Sequence, residues 1–131
     1  MAWLLDTHVL LWALAEPERL PPGWHETLAA TPDTVYFSAI NIWEIAIKVS
    51  LGRRDFGFSP ERVQQLAEQS GFVELPVAAL HAAKVARLPL HHRDPFDRLL
   101  VAQAITEKAR LLTADSALSL YSELVDYFRP Q

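Results

Sequence analysis

Short apolar runs alternate along the chain with longer segments whose apolar residues recur at helical spacing. The runs have the composition of buried strands, and they cover residues 3–5, 35–37, 72–75, 110–113 and 125–128. Strands of this length separated by helices build right-handed βαβ units. The pattern therefore predicts an α/β protein with a mainly parallel sheet and helices on both faces.

Helix signals fill the intervals between these runs. The predicted helices cover residues 7–15, 24–30, 39–51, 60–71, 78–87, 94–109 and 116–123. Their ends carry appropriate residues: Ser59 caps a helix that has Pro60 at its first position, and Gly52 follows the last turn of another. The chain has 131 residues without an internal repeat, so we expect one domain over residues 1–131.

The composition excludes several kinds of protein. Hydrophobic residues make up 50% of the chain and charged residues 21%, which is enough apolar material for a core. Cysteine is absent, so disulfides, thiolate zinc sites and a cysteine nucleophile are excluded. Asp6 and His8 interrupt the first apolar stretch, no basic segment precedes it, and no run reaches the length of a membrane span. We expect a cytoplasmic protein.

Four acidic residues end or interrupt apolar runs that ought to be buried: Asp6, Glu44, Asp97 and Asp115. Buried carboxylates are rare unless they are paired or bind a metal. Two carboxylates about 4 Å apart repel by about 4 kcal/mol at an effective dielectric near 20. If folding gathers these acids, they form a site for a hard divalent cation and favour phosphodiester chemistry.

Each acid also has a simpler explanation. Asp6 and Asp115 could cap the helices that follow them. In the segment 94–97, Asp94 could be the cap of a capping box in which Asp97 reaches back. Glu44 could form an exposed pair with Lys48. Its helix is apolar on most sides, however, which favours a cleft over open solvent for this narrow polar stripe.

Other polar residues accompany the acids. The hydroxyls of Thr7 and Thr113 could orient carboxylates or serve ordinary turn chemistry. The net charge of −4 argues against broad nucleic-acid binding, but basic residues lie close to the acids in sequence. Candidates for contacts with backbone phosphates are Lys48, Arg53, Arg54 and Arg98. The histidines lack metal-ligand spacing, and we expect them on the surface or at phosphates.

Taken together, these features resemble the PIN-domain ribonucleases, specifically the VapC-type toxins of toxin–antitoxin pairs. Four segments carry the resemblance: LLDTHVLLW (4–12), SAINIWEIAIK (38–48), RDPFDRLLVAQA (93–104) and LLTAD (111–115). The resemblance implies a Rossmann-like α/β/α sandwich and an endoribonuclease that leaves 5′-phosphate and 3′-hydroxyl ends. It also implies Mg²⁺ or Mn²⁺ held by Asp6, Glu44, Asp97 and Asp115, with Asp94 as a neighbour of the site.

The resemblance further implies a homodimer and a VapB-like antitoxin whose helical tail fills a groove beside the site. Candidate aromatic contacts for a partner are Trp12, Trp24, Trp43, Phe56 and Phe58, although internal packing is favoured for Trp43. Two other interpretations stay open. One is a catalytically inert PIN-like interaction module, and the other is a receiver-like phosphoacceptor domain. The receiver interpretation is weakened because Thr7 stands where a second acid is expected and no Lys follows Leu112.

Overall fold

The computed structural model of this chain describes residues 1–53 and 57–130. Its strands are β1 (Trp3–Leu5), β2 (Val35–Ser38), β3 (Val73–Leu75), β4 (Arg110–Thr113) and β5 (Val125–Tyr127). They form one sheet in the order β3-β2-β1-β4-β5, and every neighbouring pair is parallel. The predicted α/β class and parallel sheet are confirmed.

Helices occupy the connections, as the apolar periodicity predicted. They are α1 (Thr7–Ala15), α2 (Trp24–Ala30), α3 (Ala39–Ser50), α4 (Pro60–Gln69), α5 (Ala79–Lys84) and α6 (Pro95–Glu107). Short 3₁₀ helices cover Pro17–Arg19, Val85–Arg87 and Ser116–Leu120. None of the helices described is both long enough and apolar enough to cross a bilayer.

Two predicted helices are shorter than expected. The segment 78–87 divides into α5 and a 3₁₀ turn, and the segment 116–123 is a 3₁₀ helix that ends at Leu120. The second difference has a topological reason. The chain crosses from the end of β4 back to the start of the parallel strand β5 within residues 114–124, which leaves room for one short helical segment only.

The apolar side chains of the sheet alternate between two cores. Leu5 and Phe37 are fully buried on one face, together with residues of α1 and α4. Leu4 and Leu111 are fully buried on the other face, against α6. Burying a leucine side chain completely contributes about 1.5–3 kcal/mol. Helices packed on both faces of the sheet give the three-layer α/β/α sandwich that was predicted.

The strand order sets the location of a site. β1 lies between β2 and β4, and the chain leaves these three strands at the same edge because they are parallel. Sites in open α/β sheets form at this carboxyl edge, where the strand order reverses. The order also differs from the 2-1-3-4-5 order of receiver-like domains.

One aromatic prediction was wrong. Trp43 on α3 is 52% exposed, and its ring packs edge-on against Phe96 with ring centroids 4.9 Å apart. Both sides of α3 are apolar, so the sequence did not reveal which side meets the sheet. Trp12 is buried and Trp24 packs on Trp3, while Phe56 lies outside the described residues.

A buried amide ties α6 to the start of α3. Gln103 is fully buried, and its Oε1 accepts a hydrogen bond from Ser38 Oγ at 2.6 Å. Its Nε2 donates to the carbonyl of Pro76 at 3.2 Å. Ser38 is the cap of α3, and its own N–H donates to Asn41 Oδ1 at 2.7 Å. Gln103 therefore fixes the residues from which α3 begins.

Gln103→Ala is expected to lower the free energy of unfolding by about 3 kcal/mol, because it leaves buried polar groups unpaired and opens a cavity. Gln103→Met keeps most of the volume and should still lose stability through the unpaired groups. Urea unfolding checks both variants, with the exposed Gln69→Ala on α4 as the control. A Gln103→Met variant as stable as the parent would contradict the structural role given to these hydrogen bonds.

Candidate metal centre

The four predicted acids meet at the carboxyl edge of the sheet. Asp6 directly follows β1, and Asp115 follows β4 after one intervening residue. Glu44 lies in the second turn of α3, and Asp97 lies in the first turn of α6. Asp6, Glu44 and Asp115 all lie close enough to Asp97 to repel its charge. The structure therefore brings together side chains that are up to 109 positions apart in the chain.

Asp6 is buried and serves two contacts at once. Its Oδ1 accepts a hydrogen bond from the Val9 N–H at 3.0 Å, which caps α1. Its Oδ2 accepts a hydrogen bond from the Thr113 hydroxyl. Burial raises the pKa of Asp6 above its ordinary value, and the negative charge of Glu44 raises it further. The two hydrogen bonds lower this pKa but do not cancel the rise.

Glu44 is buried rather than paired on an open surface. Its Oε1 accepts a hydrogen bond from Thr7 Oγ1 at 2.6 Å, and its Oε2 lies 2.6 Å from Lys48 Nζ. Asn41 Nδ2 in turn donates to Thr7 Oγ1 at 3.1 Å. Only 7% of the Glu44 side chain is exposed. The polar stripe of α3 lines the interior of the site, as its apolar surroundings suggested.

Thr113 links two of the acids. Its hydroxyl donates to Asp6 and accepts the backbone N–H of Asp115 at 3.0 Å. Asp115 caps the following 3₁₀ helix, because its Oδ1 accepts the Ala117 N–H at 3.0 Å. The hydrogen bonds expected of a helix cap and of a turn hydroxyl are therefore present, and they hold the carboxylates of Asp6 and Asp115 within the cluster.

The charge of Asp97 is not fully compensated by the protein. The pKa of Asp97 is raised to about 8, and the largest cause is burial, which disfavours the ionised form. Nearby carboxylates contribute the rest of this rise, in the order Asp94, Asp6, Glu44 and Asp115. Only 21% of the Asp97 side chain is exposed, so water screens this repulsion weakly.

The capping box predicted at the start of α6 is only half present. Asp94 is the cap, and its Oδ1 accepts the N–H groups of Phe96 and Asp97 at 2.8 and 3.3 Å. Asp97 does not take the Asp94 N–H, which instead donates to His92 Nδ1 at 3.0 Å. The histidine replaces the side chain that would complete the box, and the Asp97 carboxylate stays with the other acids.

The donor set fits a hard divalent cation. Its ligand atoms are carboxylate oxygens, which Mg²⁺ and Mn²⁺ prefer. The raised pKa values of Asp6 and Asp97 show a cluster whose negative charge is not balanced by the protein alone. Potential ligand atoms of His92, Asp97 and Asp115 lie within 4.8 Å of one another.

A cleft of about 650 Å³ opens beside Asp6 and Asp115. Trp12 and Arg19 line it, and the guanidinium of Arg19 lies 4.5 Å from the centre of the Trp12 ring. Arg19 was not among the predicted phosphate contacts. It lies 13 positions from Asp6 in sequence, and only the path of the chain after α1 brings it to the cleft.

The predicted RNA-contacting residues have different surroundings. Lys48 pairs with Glu44, and Arg53 is exposed at the end of the described segment 1–53. Arg54 lies outside the described residues. Arg98 donates to the carbonyls of Pro89 and Val85 at 3.0 and 3.2 Å, so it supports the loop before α6. Contacts of these residues with RNA stay predictions.

The prediction that the histidines lie on the surface or at phosphates was wrong for His81 and stays a prediction for His92. His81 is buried, with its Nε2 2.8 Å from Glu107 Oε2. His92 is half-buried in the acid cluster, where its Nε2 lies 3.1 Å from Asp115 Oδ2. The sequence signal for His92 is its position two residues before the cap of α6. The local pattern did not show that a residue 23 positions later would face it.

Comparisons with known proteins agree on one family. Residues 3–124 match the PIN domain. The chain is 35% identical over 118 residues to Ribonuclease VapC22 of Mycobacterium tuberculosis, covering 88% of each protein. Its fold is similar to VapBC2 from Rickettsia felis bound to a promoter DNA fragment, at a TM-score of 0.71, 18% identity and full coverage of both chains. It is also similar to FitAB bound to a DNA fragment, at a TM-score of 0.60 and 24% identity over 98% of this chain and 94% of that one.

Asp97→Asn is expected to stabilise the metal-free protein at neutral and alkaline pH. The folded carboxyl, with a pKa of about 8 against an ordinary 3.8, keeps a proton that the unfolded chain releases. The free energy of unfolding of the parent therefore falls as the pH rises from 3.8 to about 8. Asp97→Asn has no carboxyl group to ionise here, so its free energy of unfolding does not fall in this way. Because one pKa unit corresponds to about 1.4 kcal/mol, the variant should be more stable than the parent by several kcal/mol near the upper end of this pH range.

Urea unfolding in EDTA at acidic and alkaline pH checks this expectation. Glu123→Gln removes an exposed carboxylate and should leave the pH dependence unchanged. If Asp97→Asn lowers stability equally at both pH values, Asp97 serves the helix end rather than the acid cluster.

Proposed function

This chain belongs to the PIN domain family, in its VapC type, and from that premise we propose that it is a metal-dependent endoribonuclease that acts as the toxin of a toxin–antitoxin pair. The observation that carries the proposal is the convergence of Asp6, Glu44, Asp97 and Asp115 at one edge of the sheet, with the pKa of Asp97 raised to about 8. An acid cluster of this kind needs a cation to be fully ionised at neutral pH.

The related sequences support the activity. The relative that shares 35% identity over 88% of each protein is named as a ribonuclease. The solved structures of similar fold share less than a quarter of their residues with this chain, so they support its architecture and not its reaction. The proposed reaction is hydrolysis of an RNA phosphodiester bond.

The four carboxylates would hold Mg²⁺ or Mn²⁺, with Asp6 and Asp97 as the principal ligands and Glu44 and Asp115 as ligands or water-orienting bases. When bound, the ion supplies positive charge that activates a water molecule and offsets the charge on the phosphate. Thr7 and Thr113 orient their carboxylates through the hydroxyl hydrogen bonds described above. Lys48 balances part of the charge of Glu44.

The proposed chemistry determines the product ends. The oxygen of water forms a new bond to phosphorus, and the bond from phosphorus to the 3′ oxygen breaks. The departing 3′ oxygen takes a proton, so the products are a 5′-phosphate and a 3′-hydroxyl. Lys48, Arg53, Arg54 and Arg98 are proposed to contact backbone phosphates on either side of the cut.

We propose two protein partners. The solved neighbours are complexes named VapBC and FitAB, which supports a VapB-like antitoxin for this chain. A second copy of the chain is proposed to cover exposed apolar residues. Trp43 is 52% exposed and lines a cavity of about 530 Å³ with Leu90 and Leu99, and Leu90 is itself 66% exposed. Exposed apolar surface of this kind marks interaction sites.

RNA cleavage by this protein should require both the metal and the carboxylates. Asp6→Asn and Asp97→Asn are each expected to reduce cleavage about 100-fold or more, because they remove anionic ligands. Asn is also a good helix cap, so Asp6→Asn should keep α1 intact. EDTA should stop the parent, and mapping of the product ends should find 5′-phosphate and 3′-hydroxyl.

The control for this assay is Glu26→Gln, which removes an exposed carboxylate of α2. It should cleave as the parent does. Cleavage that continues at the parent rate in EDTA, or in the Asp97→Asn variant, would refute the proposed mechanism.

Mn²⁺ should stabilise the parent and narrow the difference in stability between the parent and Asp97→Asn that is seen in EDTA. At a concentration 100-fold above its dissociation constant, a bound ion adds about 2.7 kcal/mol to the free energy of unfolding. Asp97→Asn should gain much less. Calorimetric titration and thermal unfolding with Mn²⁺ measure both effects. An inert PIN-like module would bind no Mn²⁺ in a carboxylate-dependent way.

A further inference from the structure

We propose that His92 is a positioning residue of the acid site, whose Nε2–H donates to Asp115 and holds this carboxylate towards Asp97. The proposal rests on the function proposed above, and it adds a residue to the site. His92 lies in the loop between the 3₁₀ turn Val85–Arg87 and α6. It is half-buried, with 25% of its side chain exposed.

The backbone fixes which nitrogen of the ring carries the proton. The N–H of Asp94 points at His92 Nδ1 over 3.0 Å, so Nδ1 must offer a lone pair. In the neutral imidazole the single proton then lies on Nε2. Nε2 is 3.1 Å from Asp115 Oδ2 and 3.7 Å from Asp97 Oδ2. The ring therefore presents a donor to the gap between two carboxylates.

The same geometry argues against His92 as a metal ligand. A ligating Nε2 would need a lone pair, and the proton of the neutral ring would move to Nδ1. There it would face the Asp94 N–H, and the hydrogen bond at the start of α6 would be lost. Potential ligand atoms of His92, Asp97 and Asp115 lie within 4.8 Å of one another, but His92 acts among them as a hydrogen-bond donor and not as a metal ligand.

The loop that carries His92 is held by α6 itself. The backbone N–H of His92 donates to the Tyr121 hydroxyl at 2.8 Å. Arg98 donates to the same hydroxyl at 3.2 Å and to the carbonyl of Pro89 at 3.0 Å. Arg98 follows Asp97 on the helix. Helix α6 therefore sets the position of Asp97 and, through Arg98, the position of the His92 ring beside it.

Asp115 is the acid that needs such a donor most. Its side chain is 42% exposed, against 7% for Glu44 and 21% for Asp97. The bond from Ala117 N–H fixes only Oδ1. The bond from His92 fixes Oδ2 and selects one orientation of the carboxylate. Partners of this kind change metal affinity or activity by about 10–100-fold when they are removed.

Two substitutions separate this role from support of the loop. His92→Gln carries an amide donor near the position of Nε2, whereas His92→Asn carries an acceptor near the position of Nδ1. The positioning role predicts that Gln restores function and Asn does not. A role limited to the start of α6 predicts the reverse, since Asn can still accept the Asp94 N–H. His92→Ala removes both groups.

The experiment measures Mn²⁺ affinity by calorimetry, RNA cleavage and thermal stability for the parent, these three variants and His25→Ala, an exposed histidine of α2. His92→Ala and His92→Asn should lose about 10–100-fold in Mn²⁺ affinity or in cleavage rate, His92→Gln should stay within about threefold of the parent, and His25→Ala should match the parent. Long-range ¹⁵N–¹H correlation of the metal-free parent at alkaline pH should show the proton of His92 on Nε2.

The proposal is overturned if His92→Ala binds Mn²⁺ and cleaves RNA as the parent does, if Asn restores function and Gln does not, or if the proton lies on Nδ1. A parent that neither binds Mn²⁺ nor cleaves RNA refutes the proposed function, and with it the role of His92 in that reaction. Because the tautomer is read without metal or RNA, failure of the positioning geometry is distinguishable from failure of the function.

Discussion

Repulsion among buried carboxylates is the constraint on which the rest of this structure depends. A parallel sheet delivers the residues after β1 and β4 to the same edge, and α3 and α6 add two more acids there. Carboxylates in such a place must be neutralised by protons, hydrogen bonds or cations. The pKa of Asp97, raised to about 8, shows that the hydrogen bonds of the protein satisfy this requirement only in part.

The acids differ in how the fold accommodates them. Asp6 and Asp115 cap helical segments, and Asp97 lies in the first turn of α6, so each meets backbone N–H groups or the positive end of a helix. Glu44 lies inside α3, away from either end, and it has Lys48 one turn later instead. The N–H groups at helix ends and the ammonium group of Lys48 thus supply interactions that replace those with the water removed by burial.

Local patterns were sufficient to predict most of the fold and to single out the four acids, and insufficient where a partner comes from elsewhere in the chain. The starts of α1 and α4 follow from residues next to each segment, namely the caps Asp6 and Ser59. The exposure of Trp43 depends on which apolar side of α3 meets the sheet. The contact of His92 depends on Asp115, and no local pattern relates these two residues.

Capping and metal binding were alternative explanations for the same acids, and the geometry shows that they are compatible. Asp6 uses Oδ1 for its helix and Oδ2 for Thr113, and Asp115 uses Oδ1 for its helix and Oδ2 for His92. The cap fixes the rotamer of each side chain, and the second oxygen remains at the cluster. A ligand that is already oriented loses less conformational entropy when an ion binds. Helix caps at the carboxyl edge of a parallel sheet are therefore a suitable source of metal ligands, because the contact that begins the helix also aims the carboxylate.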